Sequence, residues 1–351
     1  MELKASLLNK LVCPVDKCSL TQVASPGIGL MCPHAHFYPV VDGVPIMLTE
    51  GASHALPPII RARTATMADG PLYLDTVLLS DEEKAGIQKL AEKGSAVDPV
   101  AAFLVGATNG IAYKHLIGTL SEYPIPEIGL PEGNGKSLLD VGCSWGRWSV
   151  AAARKGYKPI GLDPSLGAVM AARRVARDLN VDAEFVVGDA RYLPFQSGIF
   201  DQAYSYSVLQ HLSCEHATQC FDEIGRVLAE GGKSLVQMPT RYGIRCLYNQ
   251  VRRGFRDAQG FEVRYWSVPE LQHTFSRAIG STAVSVDCFF GIGWQASDAH
   301  LMPPIRKAVL RASQVLTAVA RYAPLLKYVA DSVYLDSQKT GLTAMSTAAS
   351  P

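Results

Sequence analysis

From residue 136 onward short apolar runs alternate with longer amphipathic ones, and this regularity restricts the possible folds more than any other feature. KSLLDVG, KPIGLD and AEFVVGD read as buried strands, with helical WSVAAARKG after the first and SLGAVMAARRVARDLN after the second. FDQAYSYS is a fourth strand, EHATQCFDEIGRVLAE a helix and KSLVQMP a fifth strand. Such an order dictates a parallel sheet with helices on both faces, whose ligands sit at the carboxyl ends of the strands. An aromatic, arginine-rich stretch over 240–280 interrupts the pattern. The sheet resumes at AVSVDCFF, and the long helical region PPIRKAVLRASQVLTAVARYAPLLKYVA separates that strand from a last one, DSVYLDSQK.

The loop after the first strand, LLDVGCSWGRWS, narrows the ligand. Dinucleotide-binding turns need a middle glycine so that the backbone approaches a pyrophosphate, but here Gly142 and Gly146 flank Ser144. That argues against a nicotinamide dinucleotide. An adenosine carrying an amino acid demands less, because its ammonium and carboxylate need only a few backbone groups and one acid. Asp140 ends the first strand, placed for that ammonium. Asp163 ends the second strand about 20 residues later, where a carboxylate accepts from both ribose hydroxyls. Asp189 ends the third, placed for an adenine amine, with the Ala190 amide facing a ring nitrogen. Trp145 and Trp148 read as packing residues.

With these acids in register, LLDVGCSWG, IGLDPS, VVGDARYLPF, FDQAYSYSVLQHL and LAEGGKSLVQMP resemble the successive motifs of class I S-adenosylmethionine-dependent methyltransferases. The likeness covers about 100 residues. It implies an α/β, Rossmann-like seven-stranded sheet with an antiparallel last strand, for which DSVYLDSQK is suited. It also implies S-adenosyl-L-methionine as cofactor, with contacts from Asp140, Gly142, Cys143, Gly146, Asp163, Asp189 and Ala190. Tyr113, in TNGIAYKHLIG, is a candidate to close over the sulfonium, since an aromatic face attracts a cation; the alternative is a helix-packing tyrosine.

Methyl transfer from a sulfonium needs alignment and exclusion of water, and a base only where the acceptor must lose a proton. His211 follows the fourth strand, where the resemblance implies the acceptor pocket, and an imidazole titrating near ~6.5 suits a general base. A histidine that merely caps the strand is the alternative. His115, Arg241, Tyr242, Glu262, Arg264 and Tyr265 are substrate-binding candidates if FEVRYWSVPEL covers the site. An arginine-rich, aromatic cover suits a polar ring or an anionic group. The reading that follows is methyl transfer to a small molecule or glycan, at oxygen. RNA methylation and a non-catalytic binding role are the alternatives.

Residues 1–50 carry a different pattern. Apolar alternation about Asp42 and Gly43 marks a hairpin, and Cys13, Cys18, Cys32 and His36 supply thiolates and an imidazole for one tetrahedral zinc. LVCPVDK and FYPVVDGVPIML resemble the small zinc-ribbon-like activator of tRNA and protein methyltransferases. The departures are Asp16 at the second place of the usual C-x2-C pair, with Cys18 two later, and Ala35 where a fourth cysteine would stand. His34 is therefore an alternative ligand, and a metal-free form remains open. Without metal such a small unit must borrow core from the main domain.

The expected organisation is a zinc-ribbon-like domain over 1–50, a helical linker and cofactor-covering helices over 51–135, and the cofactor-binding core over 136–239. A substrate-covering insert over 240–280, final strands and helices over 281–340 and a flexible tail over 341–351 follow. With 33 Lys and Arg against 32 Asp and Glu, no global charge draws the chain to nucleic acid or acidic lipid, although a local basic patch stays open. No apolar run approaches the roughly 20 residues of a membrane span, nor does the start resemble a signal peptide. A cytoplasmic location is the expectation.

Overall fold

The division between the two compact units of the chain falls between Gln196 and Ser197, inside the stretch expected to be one core. A computed structural model describes residues 3–25, 27–49, 72–77, 79–108, 111–291, 293 and 295–340. The tail over 341–351 and most of the linker before residue 72 lie outside the described residues.

In the first unit, a one-turn helix α1 (Ala5–Leu8) is followed by β1 (Thr21–Val23), β2 (Gly29–Met31), β3 (Phe37–Val41) and β4 (Val44–Met47), paired antiparallel in sequence. The β3–β4 hairpin turns at Asp42 and Gly43, both at positive φ. β4 then pairs in parallel with β7 (Glu184–Gly188), Ile46 opposite Val187, and β6 (Lys158–Asp163) and β5 (Ser137–Val141) continue the parallel order. The N-terminal fifty residues thus extend the sheet by one edge. Val44 and Ile46 share a core with Leu166, Val169, Phe185 and Val187, which is how a unit too small to bury its own interior finds one. Helix α2 (Asp81–Lys93) opens on a Ser80/Glu83 capping box, and α3 (Pro99–Thr108) follows. These helices are tethered to α5 (Leu166–Asp178), which follows α4 (Arg147–Arg154). Asp98 pairs with Arg174 at 2.5 Å, and the Tyr123 hydroxyl donates to Asp178.

In the second unit, the strand order is β8 (Phe200–Tyr206), β9 (Leu228–Pro239), β11 (Ser332–Lys339), β10 (Gly280–Cys288). β8 and β9 are parallel, and β11, the last strand, runs antiparallel to both neighbours as expected. The register slips between Val286 and Cys288, so Asp287 sits on a bulge. Helix α6 (Cys214–Val227) is capped by Ser213, α7 (Ile244–Arg252) follows β9, and α8 (Val268–Ala278) has a Ser267/Glu270 capping box. α8 packs on α6 through Phe275 and Phe221, whose rings are 4.1 Å apart. It is therefore a core helix within the 240–280 stretch expected to be cover; only the residues before it are loop and α7. Helix α9 (Pro304–Ala320) and the turn Pro324–Tyr328 lead into β11. Among the described residues no helix is long and apolar enough to cross a membrane.

Candidate functional site

In the first unit, β5 delivers Asp140 to its carboxyl end, and the chain then turns through Gly142, Ser144 and Gly146, all at positive φ. The Gly146 amide closes the turn on the Cys143 carbonyl at 2.8 Å. A Cβ on Gly146 would lie 2.9 Å from Ala172 Cβ, so glycine is needed here both for its conformation and for the approach of α5. Gly142 and Cys143 donate their amides to the Leu162 carbonyl, which ties the loop to β6. Cys143 is buried, and burial pushes its thiol well up.

Asp140 is buried and accepts from Ser149 Oγ at 2.6 Å. Burial raises its pKa to about 7, against the lowering effect of Ser149 and with the help of the Asp163 charge. Asp163 accepts from the amides of Ser144 and Ser165, each at 3.0 Å, and burial lifts it to about 6. Two carboxyls held this far above their ordinary values are poised for a cation or for hydroxyl donors that favour the ionised form. Beside them, Ser144 Oγ is buried and finds no partner among the described residues. A buried hydroxyl in this state is suited to a polar ligand atom.

Asp189 ends β7 as anticipated, but its carboxylate is held bidentately by Arg191, with Nη2 at 2.5 Å and Nε at 3.0 Å from Oδ2. A ligand amine at Asp189 would share that oxygen pair with a guanidinium. Ala190 opens the short turn that follows. Tyr113 is buried with the Arg147 guanidinium 5.8 Å from its ring centroid, so the cation over this ring is one the protein supplies. His115 is exposed on the same turn. Arg147 and Arg191 were missed in the sequence, although both stand inside the quoted motifs; only the fold shows them buried beside the strand ends.

In the second unit, His211 lies on a turn after β8. Its Nδ1 donates to the Phe261 carbonyl at 2.7 Å, which puts the lone pair on Nε2, 3.3 Å from the Gln210 amide nitrogen. Burial lowers its pKa, aided by the Arg264 charge and opposed by the Phe261 contact, so the ring is neutral at pH 7. Arg264 is spent on backbone: it donates to the carbonyls of His211, Gly260 and Glu262 from one nitrogen and of Ala258 from the other. Glu262 is clamped by Arg256 at 2.6 and 2.7 Å and lowered to about 2 by that contact. Tyr265 accepts from Asn249 and lies under Arg253, Arg241 is 3.4 Å from Glu270, and Tyr242 is exposed. The structure thus shows Arg264 and Glu262 shaping the loop around His211.

A further polar group gathers at the ends of β8 and β10 and the start of β11. Asp287 accepts from Ser332 Oγ at 2.7 Å and from the Tyr206 hydroxyl at 3.3 Å, and Gln295 donates to that hydroxyl. Burial raises Asp287 although both hydroxyls lower it. The signal was available: Asp287 ends a strand, as do the three acids of the first unit.

The N-terminal thiols converge as the sequence suggested, with one change. The carboxylate of Asp16 belongs to the group: the ligand atoms of Cys13, Asp16, Cys18 and Cys32 all lie within 4.8 Å of one another. Cys18 Sγ donates to Asp16 Oδ1 at 2.7 Å, and His36 Nδ1 is 3.3 Å from Asp16 and 3.4 Å from Cys32 Sγ. His34 reaches the same carboxylate at 2.6 Å from an exposed position. The Cys18 and His34 contacts hold Asp16 well below the usual carboxylate range, and Asp16 pushes Cys18 up to about 12.

Residues 138–232 match the family model described as a methyltransferase domain. The bifunctional biotin biosynthesis protein BioHC of Cellvibrio japonicus is 33% identical over 99 residues, 28% of this chain and 19% of that protein. Ajmaline N-methyltransferase of Rauvolfia serpentina is 29% identical over 109 residues, 30% and 37% of the two chains. A tRNA (carboxymethyluridine(34)-5-O)-methyltransferase of Xenopus tropicalis is 33% identical over 119 residues, 32% and 17%. The chain therefore spans well under half the length of these relatives. Among solved structures, a chain from the complex of the Haloferax volcanii Trm112 methyltransferase activator is 19% identical with a TM-score of 0.44, covering 75% of this chain and all of that one.

Proposed function

We propose that this chain, built around a methyltransferase domain at residues 138–232, transfers a methyl group from S-adenosylmethionine to a small molecule or glycan, at oxygen. The observation that carries this is the pair of buried, raised carboxyls, Asp140 and Asp163, around a glycine turn with an unpartnered serine hydroxyl. When bound, the cofactor supplies a methyl group already activated on sulfur. Asp140 would hold its ammonium, Asp163 its ribose hydroxyls, and Asp189 with the Ala190 amide its adenine. Gly142 and Cys143 would present backbone and Gly146 lets the helix approach, while Arg147 would balance the cofactor's carboxylate. His211 takes the acceptor's proton at Nε2, its Nδ1 being fixed by Phe261. Methyl-labelled S-adenosylmethionine incubated with protein and cell-extract fractions tests the proposal. Label in a low-molecular-weight or glycan product supports it, and absence of label from every fraction favours a non-catalytic binding role. Transfer to RNA is the second reading, favoured by the likeness to a tRNA methyltransferase; label in tRNA and steeply salt-dependent tRNA binding would establish it instead.

Zinc in the N-terminal group is part of the same reading. Three thiols and a carboxylate suit tetrahedral zinc, whose thiolate ligands at ~2.3 Å from the metal lie about 3.8 Å apart, within reach of the spacing here. Cys13, Asp16, Cys18 and Cys32 would hold the ion, with His36 placed to replace or support Asp16. The expected result is one zinc per chain by elemental analysis, lost in Cys32→Ser and weakened in Asp16→Ala. Full occupancy in both variants would remove the assignment.

A further inference from the structure

Helix α7 and helix α9 reverse the usual pattern of a surface helix. On α7 the residues at i, i+3, i+4 and i+7, Ile244, Leu247, Tyr248 and Val251, are all exposed. On α9 and its following turn, Ile305, Val315, Val319, Tyr322 and Leu325 form a second exposed apolar stripe. Exposure runs from 37% at Leu247 to 91% at Tyr322. Isolated exposed apolar residues need no explanation, but two helical stripes of them do.

The same two segments concentrate positive charge. Residues 241–256 contain five arginines and no Asp or Glu, and residues 304–330 contain three arginines and two lysines, again with no acid. The whole chain is at +1, so the rest of it is acidic on balance. Arg245, Arg252, Arg311 and Arg321 are exposed. The segments also meet. Asp331, just after the second segment, accepts from the Arg245 and Cys246 amides at the start of α7 at 2.6 and 3.0 Å, and the Thr240 hydroxyl donates to the Ala330 carbonyl.

We infer that this basic, apolar region of the second unit docks on an anionic phospholipid bilayer. Apolar side chains that enter the headgroup–acyl boundary, flanked by arginine and lysine, are the chemistry of interfacial helices, and tyrosines are at home at that depth. The basic excess selects the occupant: Arg241 and Arg256 are paired with Glu270 and Glu262, but Arg245, Arg252, Arg311 and Arg321 are exposed. A second copy seated on the same region would oppose like charges. Nucleic acid would use the arginines and tyrosines but leave the aliphatic stripe of Ile305, Val315, Val319 and Leu325 in water. Neither segment is a span, so binding is peripheral and reversible. The inference does not depend on methyl transfer.

Co-sedimentation of the full chain with vesicles tests it, using phosphatidylcholine alone and phosphatidylcholine mixed with phosphatidylglycerol. Binding to the mixed vesicles only, weakened by salt, is expected. Arg252→Gln, Arg311→Gln and Arg321→Gln should each lower the partition coefficient roughly fivefold, the equivalent of ~1 kcal/mol per basic residue near an anionic surface. A separate variant carrying Val251→Ser, Val315→Ser and Tyr322→Ser should lose binding with its arginines intact. S-adenosylmethionine affinity and melting temperature should be unchanged in both sets. No vesicle binding, or binding to both vesicle types that neither set alters, would overturn the inference. So would self-association that the serine variant dissociates, or tRNA binding that the glutamine variants abolish while vesicle binding is absent.

Discussion

The strand ends of the first unit and those of the second carry acids for opposite reasons of context. Asp140 and Asp163 are fixed by neighbours within one strand–loop–helix–strand stretch: Ser149 is nine residues from Asp140, and Asp163 takes the amides of Ser165, two residues on, and of Ser144, 19 residues back in the loop after β5. Asp287 is fixed by Tyr206 and Ser332, 81 and 45 residues away, on other strands. A group of the first kind is written into one stretch of sequence, whereas a group of the second kind exists only after the sheet forms.

That contrast is broken or sharpened most strongly at Asp163. Replacing it with alanine removes charge-assisted hydrogen bonds to the ribose, and S-adenosylmethionine affinity by calorimetry should fall about a hundredfold or more, with cooperative unfolding retained. Unchanged affinity would erase the distinction between the two regions.

Acidity should separate them next. Asp163 and Asp140 titrate at about 6 and about 7 in the fold, above the ~3.9 of an unfolded aspartate. The folded, ligand-free protein therefore binds more protons than the unfolded chain between ~4 and ~7, and this contribution to stability is lost as pH rises through that window. Cofactor binding needs both ionised forms, so its affinity should fall about tenfold per pH unit between ~7 and ~6 and about a hundredfold per unit below ~6. Without cofactor the melting temperature should accordingly fall between pH ~5 and pH ~8, while at saturating cofactor it should stay nearly constant; an equal fall in both would mean these carboxyls do not meet the ligand.

The smaller effects lie in the second unit. Asp287→Asn weakens the bonds from Ser332 and Tyr206 and should lower stability by about 1 kcal/mol in thermal unfolding, while leaving cofactor affinity unchanged. Glu262→Gln breaks an exposed pair with Arg256 and should leave melting unchanged. A large loss of cofactor affinity in the first variant, or of stability in the second, would break the comparison.

Legibility in the sequence follows the same divide. The strands around 137–188 and the three acids that end them were readable because period, glycine spacing and strand-end position are local properties. The last antiparallel strand was readable from its alternation. Asp16 was read as a gap in a cysteine pair, whereas the folded hairpin brings it among the thiols. Arg264 and Glu262 were read as acceptor contacts because charge in a cover loop suggests a ligand; the loop instead uses them on its own carbonyls and on Arg256.

By itself, then, the sequence determined the order of strands and helices and the glycine turn with the acids at the strand ends, since local hydrogen bonds and the two periodicities decide these. Tertiary structure alone decided that β4 extends the parallel sheet, that Arg191 shares Asp189, that a bulge positions Asp287, and that two basic helices leave their apolar stripes exposed. Those outcomes depend on which distant surfaces meet, and no local pattern of residues encodes burial that another part of the chain provides.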